Sequence, residues 1–479
     1  MPSPRISLNP ESPVNTRISP SQLVVIFNSQ AQVQTTVNGL SSDTADLSNV
    51  QSILDENDAS IESLFGLSPD RLRSQQARLS FPESVPDLSS FYRVKAPEDK
   101  FEQIASALRA VPEVKAAYVR PGASAPLIFK PTPPAFADAP AATPDFTSRQ
   151  GYLNPAPEGV DAKWAQTQPG GRGDGIRIVD CEWAWRFSHE DLRVNQGGVI
   201  FGQQGDDDNH GTAVQGVVGG DQNSYGVIGI APNSTFFGSS FENQDVATTI
   251  KAAADILNSG DVILLEIQIS GPNAGNWIAV EWYPDILAVI RYAVMKGIVV
   301  AEAAGNGGEN FDDPIYDQPQ PGFPSDWRNP YNPSNPSSGA VMVGAGAPPP
   351  GTHGRNYGPD RSRLSFSNYG ARLDAQGWGV EVTTTGYGDL QSDSNPDLWY
   401  TDQFNGTSSA SPVVTGALLC LNGILRSWRG VTVTSEQARM LVRQTGSPQQ
   451  DGPNGPASQR IGNRPNMRQL VPAAQALFP

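Results

Sequence analysis

The chain has 479 residues, of which 38% are hydrophobic and 17% charged, as is typical of a globular protein with two or three folded units. A formal net charge of -16 argues against a nucleic-acid partner and against docking on an anionic membrane, because both need clustered Lys and Arg. Two cysteines exclude a disulfide scaffold and a cysteine zinc cluster. Neither a membrane span nor an ordinary signal peptide is expected, so the sequence leaves the compartment open.

Residues 1–120 alternate strand and helix patterns. The predicted elements are strands at 23–27, 91–97 and 114–119, and helices at 46–65 and 100–111. This order predicts a small α+β (ferredoxin-like) domain with an antiparallel sheet.

Residues 121–158 are rich in Pro and Ala and show no periodicity. Such a composition predicts an extended, accessible linker, and accessible linkers are natural places for proteolytic cutting.

Residues 159–479 alternate short apolar strands with helices. The predicted elements are strands at 175–181, 262–267, 298–305 and 340–346, and helices at 286–297 and 409–425. Apolar strands bounded by helices indicate an α/β fold with a parallel sheet covered on both faces. The Pro- and Asp-rich stretch between residues 306 and 340 is predicted to be a structured surface loop.

Three residue types needed for acyl transfer occur at suitable places in this third zone. A serine becomes a useful nucleophile when an imidazole takes its proton and a carboxylate orients the imidazole. Ser408 lies where a Gly-containing turn enters the long apolar helix, His210 opens a helix, and Asp180 ends a strand. Taken singly, each has an ordinary structural interpretation as a helix cap, a structural histidine or a turn residue.

Taken together, the motifs around these residues resemble those of the subtilisin-like serine proteases, or subtilases. The resemblance rests on IVDCEWAWRFSHEDL around Asp180, HGTAVQGVVGG at His210 and GTSSASPVVTGA at Ser408, in the chain order of that family. It covers nearly all of residues 160–475. The resemblance implies a subtilisin-like fold and a serine endopeptidase acting on peptides or proteins through an Asp180-His210-Ser408 triad, with no cofactor required for the chemistry.

The resemblance also implies residues that bind the substrate. Asn306 in AAGN matches the asparagine that stabilises the oxyanion together with the backbone N–H of Ser408. Gln268, Ile269 and Ser270 match the strand to which an extended peptide substrate adds.

A structural calcium site is a further expectation from the resemblance, because oxygen ligands of this kind suit the ion. An ordinary turn is the alternative. The matching positions are Asp191, Asp221, Asn223, Tyr225 and Val227.

Several residues depart from the pattern of the family. Cys181, Glu182 and Trp183 replace the usual small residues after the catalytic Asp, and Glu266 and Glu302 stand at positions that are usually neutral. If these two glutamates face one another on adjacent strands, one of them is expected to be protonated near neutrality. A structural or pocket-tuning role is favoured over a proton relay. The Glu-Asp-Ser apparatus of sedolisins is disfavoured by the intact HGT motif.

Acidic residues near His210 and after Asn306 suggest a hypothesis about specificity. They are Asp206, Asp207, Asp208, Asp312, Asp313 and Asp317. Charge pairing with them predicts that the S1 or S2 subsite favours Lys or Arg, and a solvated acidic loop is the plainer alternative.

By pattern, the first zone resembles the inhibitory propeptide of the same family. This implies an exported zymogen whose N-terminal domain covers the cleft as an intramolecular inhibitor and is cut within 121–158. Family precedent thus favours secretion. The open alternatives are a permanent accessory domain, a non-catalytic binding protein that kept the fold, and a processor that cuts only itself or one partner.

Overall fold

The structure is a computed structural model that describes residues 18–36, 39–79, 81–131, 142–273 and 275–479. Its first unit is built on a four-stranded antiparallel sheet in the order β4-β5-β1-β6. The strands of this unit are β1 (Gln22–Phe27), β2 (Gln34–Thr36), β3 (Gly39–Ser41), β4 (Ser60–Ser63), β5 (Phe91–Lys95) and β6 (Val114–Arg120). Its helices are α1 (Ser48–Glu56), α2 (Pro69–Gln76) and α3 (Phe101–Leu108). The small α+β unit is thus present as the pattern predicts, but the helix predicted at 46–65 ends at Glu56, and residues 60–63 form β4 at the edge of the sheet.

A short strand, β7 (Ala123–Ser124), follows, and the remaining elements form the second unit. Seven parallel strands make its sheet in the order β16-β15-β14-β11-β8-β10-β9. Its strands are β8 (Arg177–Glu182), β9 (Gln196–Phe201), β10 (Thr235–Ser240), β11 (Val262–Leu265), β12 (Gln268–Ser270), β13 (Trp277–Ile278), β14 (Val299–Ala303), β15 (Val341–Gly346), β16 (Ala375–Trp378), β17 (Val382–Thr385) and β18 (Tyr400–Phe404). Its helices are α4 (Ala162–Ala165), α5 (Asn209–Gly219), α6 (Val246–Ile256), α7 (Pro284–Met295), α8 (Thr407–Arg429), α9 (Ser435–Gln444) and α10 (Met467–Gln475).

Side chains alternate between the two faces of the parallel sheet because successive residues of a strand point to opposite sides. Ile178 and Leu264 pack with α5 and α8 on one face, whereas Val179 and Ile263 pack with α6 and α7 on the other. The predicted parallel sheet with helices on both faces is confirmed. By length and composition α8 could cross a membrane, but its apolar stretch is buried inside the protein.

The N-terminal unit lies against α6 and α7. Leu23 and Val25 of β1 pack on the helices of their own unit, while Val24 and Ile26 join the core around α6 and α7. At the centre of the contact, Arg120 is 1% exposed and pairs with Asp245 and, at 3.0 Å, with Asp285. Tyr118 donates a hydrogen bond of 2.9 Å to the same Asp285 carboxylate. A buried charge network therefore joins the two units.

Candidate active site

The carboxyl end of β8 and the start of α5 bring a carboxylate to the imidazole. Glu182 is the last residue of β8, and its Oε2 is hydrogen-bonded to Nδ1 of His210, the second residue of α5. The Glu182 side chain is 2% exposed and that of His210 10%, so water screens the contact poorly. A buried carboxylate on Nδ1 fixes the imidazole with Nε2 free to act as a base.

Asp180 does not fill the place that the sequence predicts for it. Its Oδ2 accepts a hydrogen bond of 2.8 Å from Nε1 of Trp185, and its Oδ1 is buried without a partner among the described residues. The carboxylate on His210 comes from Glu182, two residues further along β8. Burial, reinforced by the charge of Glu182, raises the pKa of Asp180 well above its usual range.

One signal in the sequence could have pointed to Glu182. Residues 180 and 182 share a face because a strand has a period of two, and Glu182 is nearer the carboxyl end, where catalytic groups of parallel sheets gather. The prediction of Asp180 as the carboxylate on His210 is wrong, because the pattern of the family places this role on the shorter side chain at residue 180.

Ser408 lies in the first turn of α8, and its Oγ donates a hydrogen bond of 2.7 Å to the carbonyl oxygen of Pro126. Gly406, with φ of 92°, lets that carbonyl come close, since a Cβ there would lie 2.1 Å from the Pro126 oxygen. Among the described residues, Nε2 of His210 has no hydrogen-bond partner. The hydroxyl of Ser408 is therefore directed at a peptide carbonyl in this state.

Asn306 follows β14 and is held by its amide oxygen. Its Oδ1 accepts hydrogen bonds of 3.0 Å from both N–H and Oγ1 of Thr407. Its Nδ2 is buried and has no partner in the part of the chain that the structure describes. This Nδ2 lies 3.1 Å from the position of a Cβ on Gly406, beside the Pro126 oxygen. A spare N–H donor next to a carbonyl oxygen is the arrangement expected of an oxyanion hole.

The three residues expected to bind substrate form β12, which pairs in antiparallel fashion with β7. Gln268 faces Ser124, and Ile269 faces Ala123. Nε2 of Gln268 also donates to the carbonyl of Ala125 at 3.3 Å. A segment of the chain's own linker thus occupies β12 as an added strand.

After Pro126 the linker continues across the other half of the cleft. The backbone N–H groups of Ile128 and Phe129 donate to Oδ1 of Asn405, at 3.0 and 3.2 Å. Lys130 forms an ion pair with Asp207. Leu127 is 8% exposed. The expectation of an accessible linker is therefore wrong for the segment around Leu127, because that segment fills the cleft. Residues 132–141 of the predicted linker lie outside the described residues.

Four other acidic residues of the specificity hypothesis, Asp208, Asp312, Asp313 and Asp317, have structural partners. Asp208 pairs with Arg186 at 2.7 Å, and Asp313 accepts the N–H of Ile315 at 2.9 Å. Asp312 accepts the N–H of Ala371, and Asp317 accepts the side-chain amide of Asn329. The preference for Lys or Arg in S1 or S2 stays a prediction.

The residues expected to bind calcium are close together but do not present a fitting set of free oxygens. Asp191 accepts hydrogen bonds from Nδ2 of Asn223 at 2.6 Å and from the N–H of Val227 at 2.7 Å. Oδ1 of Asn223 accepts the N–H of Tyr225, and Asp221 accepts the N–H of Arg193. Because N–H donors already face these side-chain oxygens, the arrangement does not favour calcium. The calcium site expected from the sequence stays a prediction, and no mechanistic step uses it.

Glu266 and Glu302 do not face one another. In the pairing of β11 with β14, Leu265 lies opposite Glu302, so Glu266 points to the opposite face of the sheet. Burial, with the nearby Glu281, raises the pKa of Glu302 well above its usual range, whereas the neighbours of Glu266 are Ser411 and Asp180. The condition for a shared proton between Glu266 and Glu302 is therefore absent.

Comparison with known proteins shows to which family the chain belongs. The model of the subtilase family matches residues 201–463, a range that contains His210, Asn306 and Ser408. The chain belongs to the subtilase family. Among curated subtilases, it is 29% identical over 282 residues to alkaline elastase YaB of Bacillus sp. (strain YaB), covering 57% of this chain and 61% of the relative. It is 28% identical over 266 residues to subtilisin DY of Bacillus licheniformis, covering 54% of this chain and 80% of the relative.

Solved structures of other enzymes share the fold. The epidermin leader peptide processing serine protease EpiP from Staphylococcus aureus matches with a TM-score of 0.53 and 17% identity, over 95% of this chain and 99% of its own. Fervidolysin from Fervidobacterium pennivorans, a keratinolytic enzyme, matches with a TM-score of 0.54 and 16% identity, over 98% of this chain and 63% of its own. At these identities the likeness concerns the fold alone.

Proposed function

We propose that this subtilase is a serine endopeptidase with Ser408 as nucleophile, His210 as base and Glu182 as the carboxylate that orients His210. The observation that carries the proposal is the peptide carbonyl of Pro126, which lies 2.7 Å from Oγ of Ser408. The free Nδ2 of Asn306 lies beside that carbonyl and supports the same function.

The proposed mechanism follows from these positions. Rotation of the hydroxyl turns the Ser408 proton toward Nε2 of His210, which takes it as Oγ attacks the carbonyl carbon. Nδ2 of Asn306 and the N–H of Ser408 bind the oxyanion that forms. His210 then protonates the leaving amine, and water, deprotonated by the same imidazole, hydrolyses the acyl-enzyme. Glu182 stabilises the imidazolium in both halves of the reaction.

The same geometry supports a self-processed zymogen. The segment Ala123–Pro126 lies on β12 in the way a substrate adds to a strand, and the N-terminal unit holds it there through the buried Arg120 network. We therefore propose that the N-terminal unit blocks the cleft until Ser408 cleaves the bond between Pro126 and Leu127.

Intact mass measurement of the purified chain tests both proposals. Wild type is expected to yield fragments that end at Pro126 and begin at Leu127, whereas Ser408→Ala stays whole. Ser427→Ala, an exposed serine on the same helix, is the matched control and should be cut like wild type. If wild type stays whole yet hydrolyses an added peptide, self-processing is refuted and the endopeptidase function stands.

A further inference from the structure

Three buried carboxyl groups lie together beneath the nucleophile and the base. Asp180 and Glu182 share one face of β8, and the pairing of Leu264 with Asp180 carries Glu266, just after β11, to the level of Glu182. Their exposed fractions are 0%, 2% and 0%. The site therefore holds more potential negative charge than a single carboxylate on His210 would bring.

The surroundings cannot neutralise three carboxylates. Glu182 has His210 as its partner, but among the described residues no Lys or Arg forms an ion pair with Asp180 or Glu266. The groups that face Glu266 are Asp180 and Glu182 from β8 and the hydroxyls of Ser408 and Ser411 from α8, with His210 beyond Glu182. Burial, reinforced by the charge of Asp180, raises the pKa of Glu266 well above its usual range. Like charges this close in a dry layer do not all ionise.

The two contacts of the Ser411 hydroxyl point to the place of one proton. Its Oγ lies 2.5 Å from Oε1 of Glu266 and 2.8 Å from the carbonyl oxygen of Thr407. A hydroxyl carries one proton, and a backbone carbonyl carries none. Both contacts are hydrogen bonds when Ser411 donates to Thr407 and Glu266 donates its own carboxyl proton to Oγ of Ser411.

We propose that Glu266 is a neutral carboxylic acid in the active enzyme, and that its O–H group, donated to Ser411, positions the first turn of α8 that carries Ser408. This inference rests on the proposed function. Loss of the proton turns the Ser411 hydroxyl away from Thr407 and places a second negative charge beneath the site where the oxyanion forms. Glu266 is thus a positioning residue whose ionisation ends activity on the alkaline side.

The pH profile of kcat/KM for a peptide substrate tests the role of Glu266. In Glu266→Gln the amide N–H replaces the carboxyl O–H as donor to Ser411, so the alkaline limb is expected to move to higher pH while the acid limb stays in place. At one pH unit above the midpoint of the wild-type alkaline limb, each enzyme is compared with its own maximal kcat/KM. The fraction that the variant retains should be about tenfold larger than the fraction that wild type retains. Asp180→Asn is the comparison variant: it also removes a buried acid but leaves the contact between Ser411 and Glu266 intact, so its alkaline limb should not move to higher pH.

Two outcomes with Glu266→Gln overturn the inference. Movement of the acid limb to lower pH would mean that Glu266 is an anion that acts on His210, and an unchanged alkaline limb would mean that its proton does not limit activity. If wild type shows no Ser408-dependent hydrolysis, the proposed function itself is refuted. That result differs from a wild type that is active but whose pH profile contradicts the role of Glu266.

Ser411→Ala provides a second test of the inference, and it also serves if Glu266→Gln does not fold. Removing the acceptor of the Glu266 proton is expected to move the alkaline limb to lower pH. If Ser411 instead donates to a Glu266 carboxylate, the same change moves that limb to higher pH. An upward shift or no shift overturns the inference.

Discussion

Glu182 and Asp180 lie two residues apart on the same face of β8, but only Glu182 reaches Nδ1 of His210, while Asp180 binds Nε1 of Trp185 at 2.8 Å. The longer side chain at the end of the strand extends into the cleft, and the shorter one stays beneath it. The two buried acids therefore differ in role. Glu182 reaches the imidazole because its side chain is one methylene longer and its position is two residues further along the strand.

Glu182→Gln should lower kcat by about 10³–10⁴-fold, because an amide on Nδ1 no longer stabilises the imidazolium. Asp180→Asn should retain most of its activity, since Asp180 binds Nε1 of Trp185 and Glu182, not Asp180, is bonded to His210. Hydrolysis of a p-nitroanilide carrying the sequence Ser-Ala-Pro of residues 124–126 measures both variants. A severe loss of activity in Asp180→Asn with little change in Glu182→Gln would show that Asp180, and not Glu182, is the carboxylate of the triad.

Asn306→Ala should lower kcat by about 10²–10³-fold with little change in KM, because its Nδ2 is needed only when the oxyanion forms. The same variant also loses the acceptor for Thr407, so its thermal unfolding must be compared with that of wild type. Steady-state kinetics separate the two effects. A rise in KM with unchanged kcat would place Asn306 in ground-state binding instead.

Arg120→Met should loosen the N-terminal unit, because it leaves Asp245 and Asp285 buried without their cation. Removing one partner of a buried pair costs about 3–5 kcal/mol. In a Ser408→Ala background, amide hydrogen exchange along α6 should therefore accelerate by about 10²-fold or more.

Lys115→Ala is the control for this interface. The pair of Lys115 with Asp326 joins the same two units at 2.9 Å, but its side chains are 38% and 67% exposed. Exposed pairs contribute about 1 kcal/mol or less, so exchange along α6 should change by less than about tenfold. Equal effects of the two variants would contradict a role for burial.

Stability of the Ser408→Ala protein should fall as pH rises above the usual carboxyl range. Burial raises the pKa of Asp389 to about 6 and that of Asp191 to about 8, and it raises those of Asp180 and Glu266 further. A raised pKa in the folded state means that stability is fully present below the unfolded value and is lost as pH rises through the folded value.

Thermal unfolding between pH 4 and pH 9, at steps of about one unit, measures this dependence. Asp191→Asn is the matched variant: it should flatten the part of the curve just below the pKa of about 8 assigned to Asp191. A Tm that rises steadily over the same range would contradict the assigned protonation states.

Calcium should not change the Tm of this protein, because the oxygens of Asp191 and Asn223 already accept N–H donors. Thermal unfolding in the presence of calcium and of a chelator checks this directly. A Tm several degrees higher with calcium would show that the loop rearranges, and the calcium site expected from the sequence would then be established.

The sequence alone determined the class of fold and most of the groups that meet in the cleft. Apolar strands between helices fix a parallel sheet, because strands buried on both faces must be apolar throughout. Local motifs led to His210, Ser408 and Asn306, which lie at the start of α5, in the first turn of α8 and three residues after β14.

Tertiary structure decided which residues contact one another across the chain. The choice of Glu182 over Asp180 depends on the distance from β8 to α5, and the opposite directions of Glu266 and Glu302 depend on where β11 ends relative to β14. The contact of Pro126 with Ser408 joins residues 282 positions apart. Composition predicted an accessible linker there, but burial on β12 is a long-range pairing that no local pattern encodes.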